Sequence, residues 1–430
     1  MLTSSACADR ACRYRLIGKK GEGTFSEVLK AQGIKNGKYV AIKCMKNHFD
    51  SLDQVNNLRE IQALRRLSPH PGVIKLCEVL YDQPTRRLAL VFELMDMNIY
   101  ELIRGRRQYL AETRIKIYMY QLLKSMDHMH RNGIFHRDIK PENILITDDE
   151  LKLADFGSCR GIYSKQPYTE YISTRWYRAP ECLLTDGFYN YKMDMWGVGC
   201  VFFEVLSLYP LFPGTNELDQ VQKIHAILGT PPAETLAKLK KHSNSHIDFN
   251  FPHKEATPLA RLIPHCSAEC VDVIVKLLAY DPDDRMSARQ AVKHPYFKDL
   301  RAAELKEKQA QAQAAAGSED GISEERVGAL KIDSKSLMGS SKTQTQKARE
   351  QYRMSKQVPK KPTGLIAGAI AKAGSLSDGP SGLAIGQLGV GLASQNASQS
   401  QIDAELSIKS VAKAVSHKTY QSPYSQKPRK

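Results

Sequence analysis

Two carboxylates and an amide stand at a spacing that suits phosphoryl transfer. Asp138 lies within His136-Arg137-Asp138-Ile139-Lys140-Pro141-Glu142-Asn143, and Asp155-Phe156-Gly157 begins seventeen residues after Asp138. Moving a phosphoryl group onto a hydroxyl needs one carboxylate to orient the hydroxyl and accept its proton. It needs a second, with an amide oxygen, to hold magnesium against the phosphates. Asp138 suits the first task, Asp155 with Asn143 suits the second, and Lys140 can steady the transferring group. Further upstream, Lys43 ends the apolar run Val40-Ala41-Ile42, and Glu60 follows on a candidate amphipathic helix. A Lys43–Glu60 ion pair would hold the ammonium against two phosphate groups. The run Gly21-Glu22-Gly23-Thr24-Phe25-Ser26-Glu27-Val28 adds a loop whose backbone N–H groups can approach phosphates closely. Alone, such a loop is more often a hairpin turn. No Gly-Lys-Ser/Thr follows it, and Ser26 fills the third glycine position. The specificity comes from all these pieces occurring together and in order.

These groups must be carried by two kinds of structure. The first ninety residues read mostly as strands, with short apolar runs at 39–44 and 88–92. One helix interrupts them: Ser51 and Gln54 form a capping-box pattern, and Val55, Leu58, Ile61 and Leu64 share a face. After Asn98 the pattern becomes helical, and residues 113–131 predict a long helix stopping at Gly133. A small β-rich unit followed by a larger helical one predicts two lobes with a cleft between them.

From residue 14 to 297 the sequence resembles the eukaryotic protein kinases. The likeness continues through Ala179-Pro180-Glu181, Asp194-Met195-Trp196-Gly197 and Arg285. It implies an α+β, two-lobed fold, with an N-lobe at 14–97 and a C-lobe at 98–297. It also implies an enzyme using ATP and Mg2+ to phosphorylate serine or threonine in protein substrates. Carried over residue by residue, Lys43, Glu60, Asp138 and Lys140 are catalytic, and Asn143 and Asp155 hold metal. Lys20, Gly21, Glu22, Gly23, Thr24, Phe25, Ser26, Glu27, Val28, Ala41, Lys43, Glu93, Met95 and Leu145 bind ATP. Phe92 is the gatekeeper, and Leu64, Leu76, His136 and Phe156 form a spine between the lobes. Glu181 pairs with Arg285, and Asp194 braces the catalytic loop.

Thr169-Glu170-Tyr171, followed by Ile172-Ser173-Thr174-Arg175-Trp176-Tyr177-Arg178, is similar to the mitogen-activated and cyclin-dependent branch. That likeness implies phosphorylation of Thr169 and Tyr171, proline after the target residue, and an upstream kinase. Arg59, Arg137 and Arg160 would meet a phosphate on Thr169, and Arg175 and Arg178 one on Tyr171. Guanidiniums suit this task because they bind phosphate bidentately. Leu58-Arg59-Glu60-Ile61-Gln62-Ala63-Leu64 and Glu93-Leu94-Met95-Asp96-Met97-Asn98 resemble the male-germ-cell-associated kinase group, as does Glu181-Cys182-Leu183-Leu184-Thr185-Asp186-Gly187. The group implies cytoplasm, nucleus and cilia. Two departures stand out. Lys20 sits where the branch has an apolar residue over the adenine, with its stem able to cover the ring and its charge reaching water. Ser26 should stiffen the glycine loop.

The composition, 42% hydrophobic and 25% charged over 430 residues, permits a sizeable core. Residues 299–430 hold 20 Lys and Arg against 12 Asp and Glu, so half of the net +16 lies there. Residues 1–13 read as a loose leader, 298–317 as a helical extension, and 318–430 as a disordered basic tail poor in aromatics. The basic balance reads as a solvated surface, and tethering of the tail to nucleic acid or membrane is the weaker reading. Nine cysteines form no CxxC pair, and Cys266 and Cys270 beside His265 lack a second ligand pair, so free thiols in a reducing compartment are expected. No secretory leader or membrane-length apolar run is read, and no obligate oligomer is implied.

Overall fold

A computed structural model of the chain describes residues 13–168, 174–243 and 247–316. The N-terminal part is an antiparallel sheet of β1 (Tyr14–Glu22), β2 (Ser26–Gly33), β3 (Tyr39–Met45), β4 (Leu76–Asp82) and β5 (Arg87–Glu93), in the order β1-β2-β3-β5-β4. Strand periodicity explains how β3 presents its chemistry. Val40 and Ile42 face a small outer cluster with Ala31 and Val91, so Ala41 and Lys43 face the other way. That opposite face meets the helical part.

Two helices, not one, separate β3 from β4: α1 (Leu52–Asn56) and α2 (Arg59–Leu67). The single helix read from sequence breaks at Asn57 and Leu58, and Leu58 is extended with φ −60° and ψ 128°. Successive asparagines explain the break, because their short amides compete with the helical backbone. The capping box is also only half formed. Ser51 Oγ accepts from Gln54 N at 3.1 Å, but the Gln54 side chain accepts from Asp50 N instead. The break frees α2 to turn Ile61 and Leu64 into the core while Glu60 lies buried at its first turn. Of the predicted leader, residues 1–12 lie outside the described residues. Arg13 is tied to the sheet by an ion pair to Glu78 at 2.6 Å, and its carbonyl accepts from Ile34 N.

The helical part begins with β6 (Met97–Asn98) and α3 (Ile99–Ile103), whose N-terminus carries a full capping box between Asn98 and Glu101. Next come α4 (Glu112–Arg131), β7 (Ile134–Phe135), β8 (Ile144–Thr147), β9 (Glu150–Leu153) and β10 (Arg160–Gly161). As predicted, α4 ends before Gly133, which adopts φ +74° just beyond the capping Asn132. The remaining helices are α5 (Pro180–Leu184), α6 (Lys192–Ser207), α7 (Glu217–Leu228), α8 (Ala233–Lys240), α9 (Leu259–Leu262), α10 (Ala268–Leu277), α11 (Ala288–Val292) and α12 (Lys298–Ala316). Every residue of α6 after Lys192 is buried, which is why its sequence is apolar on all sides. One continuous core joins α2 to α4, α6 and α10. The predicted helical extension is α12. Glu304 anchors it to α4 by accepting from Tyr120 Oη at 2.8 Å and from Lys124 Nζ at 2.9 Å. The tail beyond residue 316 lies outside the described residues.

Candidate active site

Lys43 and Glu60 meet where the cleft face of β3 passes the first turn of α2. Lys43 Nζ donates to Glu60 Oε1 at 2.8 Å and Oε2 at 2.9 Å, and to Asp155 Oδ1 at 3.1 Å. Burial disfavours the charge on Lys43, but Asp155 and Glu60 outweigh it and hold the ammonium above its usual pKa. Burial also opposes the Asp155 carboxylate, and Lys43 more than compensates, so Asp155 stays ionised below its usual range. For Glu60 burial wins and pushes the pKa up against the pull of Lys43. The site therefore holds a fixed ammonium between two acids, of which Asp155 keeps 47% of its side chain exposed toward the cleft.

The Asp138 loop is strained locally and held from outside. Arg137 has φ +70° and Asp155 φ +62°, left-handed values that cost a side-chain-bearing residue about 1–3 kcal/mol each. Buried Asp194 at the start of α6 offsets part of this. Its two carboxylate oxygens accept from His136 N and Arg137 N, each at 2.8 Å, and one also bonds His130 Nε2 at 2.9 Å. Arg137 Nε donates to Ser158 O at 2.6 Å and its Nη1 to Tyr189 Oη at 3.0 Å. With the loop so held, Lys140 Nζ lies 2.9 Å from Asp138 Oδ2, and Asn143 Nδ2 donates to the same oxygen at 2.9 Å. Asp138 Oδ1 is buried with no hydrogen-bond partner among the described residues. His136 Nε2 bonds Ala154 O at 3.0 Å and its ring stands edge-on to Phe156 at 5.3 Å. Phe156 is fully buried, Leu64 nearly so, and Leu76 half-buried against the same core. The predicted spine residues are thus part of one packed region.

The predicted nucleotide walls lie along one side of the sheet and on β8. Val28 pairs with Lys43 across β2 and β3, and Val28, Ala41 and Leu145 are half-buried. Phe92 and Met95 are buried, and Glu93 is held by Lys152 at 2.8 Å. In the glycine loop Gly23 N donates to Ser26 O at 2.7 Å, and Phe25 is 65% exposed at the tip. Thr24 and Glu27 lie in the same turn and strand start. Lys46 Nζ closes the loop by donating to Gly23 O at 2.8 Å and Glu22 Oε1 at 2.9 Å. Lys20 is exposed, and its ammonium also donates to Asp96 O at 3.0 Å.

Of the five arginines, Arg59, Arg137 and Arg160 share one region. Burial, then Arg59 and Arg137, depress the Arg160 pKa, and Arg160 Nε is buried without a partner among the described residues. Arg175 and Arg178 are engaged elsewhere, with Thr215 O at 3.1 Å and Glu217 at 3.1 Å. Thr169 and Tyr171 lie outside the described residues. Glu181 and Arg285 form a buried two-pronged pair at 2.6 and 2.9 Å.

Reading the sequence missed several contributors: Tyr189 behind Arg137, Lys46 on the glycine loop, and the buried pair Tyr177–Glu204. Each acts through a contact distant in sequence, and none carries a local motif. Tyr177 Oη donates to Glu204 Oε2 at 2.7 Å. Burial pushes the Glu204 pKa up to about 8, with Tyr177 lowering it and Glu142 raising it. A carboxyl whose folded pKa exceeds its unfolded value favours folding less as pH rises between the two values. From pH 4.5 to about 8 the carboxyl ionises in the unfolded chain while folded Glu204 keeps its proton, so stability falls, on the order of 3 kcal/mol by pH 7. Glu204→Gln is expected to gain on wild type steadily over that window in urea titrations. A constant difference across pH would remove the claim.

Comparison with known proteins places the whole arrangement. The family described as protein kinase domain matches residues 14–297. The chain belongs to the protein kinase family. This kinase is 62% identical over 291 residues to the MAPK/MAK/MRK overlapping kinase of Mus musculus, covering 68% of this chain and 69% of the relative. The Homo sapiens protein of the same name gives the same figures. The serine/threonine-protein kinase MAK of Mus musculus is 43% identical over 286 residues, covering 66% of this chain but 45% of that protein. The chain is a protein serine/threonine kinase. ATP, and typically Mg2+, are what the family uses. The groups at the cleft fit them: Asp155 and Asn143 supply oxygen donors of the kind magnesium takes, and Lys43 supplies a fixed cation for phosphates.

Proposed function

We propose that this kinase transfers the γ-phosphoryl group of MgATP to serine or threonine hydroxyls followed by proline, and that phosphorylation of Thr169 and Tyr171 switches it on. The observation that carries the transfer chemistry is the asymmetry of Asp138. One oxygen is held by Lys140 and Asn143, while the other is buried without a partner among the described residues. A buried unpaired carboxylate oxygen is costly, and a substrate hydroxyl would satisfy it. Asp138 then orients that hydroxyl and accepts its proton. Lys140 neutralises charge beside it, Asn143 and Asp155 hold the metal, and Lys43, steadied by Glu60, holds the phosphates. The transferred group carries its charge in a loose transition state, so fixed cations at fixed positions contribute most.

Support for the proline preference comes from relatives named for mitogen-activated and cyclin-dependent kinases, among them Cyclin-dependent kinase F-3 of Oryza sativa subsp. japonica at 42% identity. Support for the switch comes from Arg59, Arg137 and Arg160: beyond its burial, the Arg160 guanidinium is depressed by the positive charges of Arg59 and Arg137 beside it. A phosphate among them relieves that repulsion and gains charge-assisted bonds. A positional peptide library, read with mass spectrometry of Thr169 and Tyr171, tests both ideas. The expected result is selection of proline directly after the phosphorylated residue, and activity that rises with occupancy of the two sites. Equal rates for all residues after the target would end the proline reading. Full activity with Thr169 and Tyr171 unmodified would end the switch.

A further inference from the structure

Lys20 occupies an unusual place in β1. The β1–β2 register runs Gly18↔Lys30, Lys19↔Leu29, then Gly21↔Val28, so Lys20 is the unpaired residue of a bulge. A bulge re-aims the side chain that it carries, and bulges gather beside active sites. Here the re-aimed side chain leaves the sheet and reaches Asp96 O at 3.0 Å, 76 residues away. Asp96 belongs to the segment joining β5 to β6, directly after Met95 of the predicted nucleotide wall. Its own N–H donates to Thr147 Oγ1 at 2.8 Å, which fixes the acceptor to β8. The donor side is stiffened as well. Lys46 holds Gly23 O and Glu22, and Lys19 Nζ holds Glu22 Oε2 at 2.6 Å, so the hairpin tip moves with the strand.

We infer that Lys20 is a latch across the mouth of the nucleotide cleft, which must open each time a nucleotide enters or leaves. The inference rests on the kinase reading above and goes beyond it: the nucleotide contact expected of Lys20 belongs to its stem, which methionine keeps, and traffic is assigned to its ammonium alone. The contact joins two protein groups and uses no ligand atom, so it hinders passage equally in both directions. A gate of that kind changes rates and leaves equilibrium affinity nearly untouched. A cation acting by attraction to phosphates does the reverse: it quickens association and tightens binding.

The test uses the full chain, MgADP fluorescently labelled on its terminal phosphate, and stopped-flow measurement of both rate constants. Lys20→Met keeps the stem and removes the donor. Loss of one hydrogen bond is expected to raise ADP dissociation and association together, each about threefold to tenfold, with Kd shifting less than twofold. Lys20→Arg retains a donor and is expected to stay within about twofold of wild type. The latch is overturned if Lys20→Met leaves either rate constant unchanged, or if association slows and Kd weakens. It is overturned too if Lys20→Arg accelerates as much as Lys20→Met. Failure of the wild-type chain to bind the nucleotide at all would instead sink the kinase reading on which the latch depends.

Discussion

Asp138→Asn is expected to lower kcat for peptide phosphorylation by about a hundredfold to ten-thousandfold while leaving the KM for ATP within about threefold. The asparagine has nearly the same shape, so the change is chemical. In the wild type, Asp138 Oδ2 accepts from Asn143 and lies against Lys140, which are both donors. An amide placed there must turn its oxygen toward those donors and its NH2 toward the position of the unpartnered Oδ1. A substrate hydroxyl would then meet a donor in place of an acceptor, and no group beside it could take the proton. Nucleotide contacts at Lys43 and Asp155 are unaffected, since neither bonds Asp138. A homogeneous Asp138→Asn preparation that turns over at the wild-type rate would remove Asp138 from the role given to it.

The second large effect is on stability. Glu181→Ala is expected to destabilise the fold by about 3–5 kcal/mol, read as a lowered urea midpoint with unchanged slope. Arg285 is fully buried, and Glu181 meets it with both oxygens. The guanidinium also donates to Ala279 O, Lys192 O and Tyr280 O, and lies over the Trp196 ring at 5.2 Å. Those carbonyls stay after the substitution, but none balances the charge. A domain of marginal stability loses a large share of its 5–15 kcal/mol in this way. A midpoint shift worth less than about 1 kcal/mol would show that the ion pair contributes little and that packing alone holds α5. Arg285→Lys offers a finer comparison: a lysine keeps the charge but cannot make the two-pronged bond.

Much of this molecule was legible before any coordinates. Lys43 at the end of an apolar run and Glu60 on the following helix read from sequence as an ion pair, and the two groups meet at 2.8 Å. Gly133 marked the end of α4 because only a residue tolerant of positive φ closes a helix cheaply there. The pair Glu181–Arg285 and the brace at Asp194 were reached only through resemblance, and the geometry now supplies their physical reasons. The errors are instructive in the same way. Residues 51–67 have helical spacing throughout, yet the chain breaks at Asn57 and Leu58, since hydrophobic period says which face is buried and not whether the backbone continues. The contact of Lys20 with Asp96 O went unread because its acceptor, a backbone carbonyl, has no signature in a sequence.

The sequence by itself determined the reagents: which carboxylates, amide and lysines are present, their order, and the strand and helix periods that carry them. Those are local properties, set within a few residues by backbone sterics and side-chain pattern. Only the tertiary structure decided which of those groups face one another and in what state of charge. Lys43 keeps its ammonium, Asp155 its negative charge and Glu204 its proton because burial and neighbours from distant segments set the electrostatic field at each. No spacing along the chain encodes that field, because it depends on distances through space between residues up to 112 positions apart.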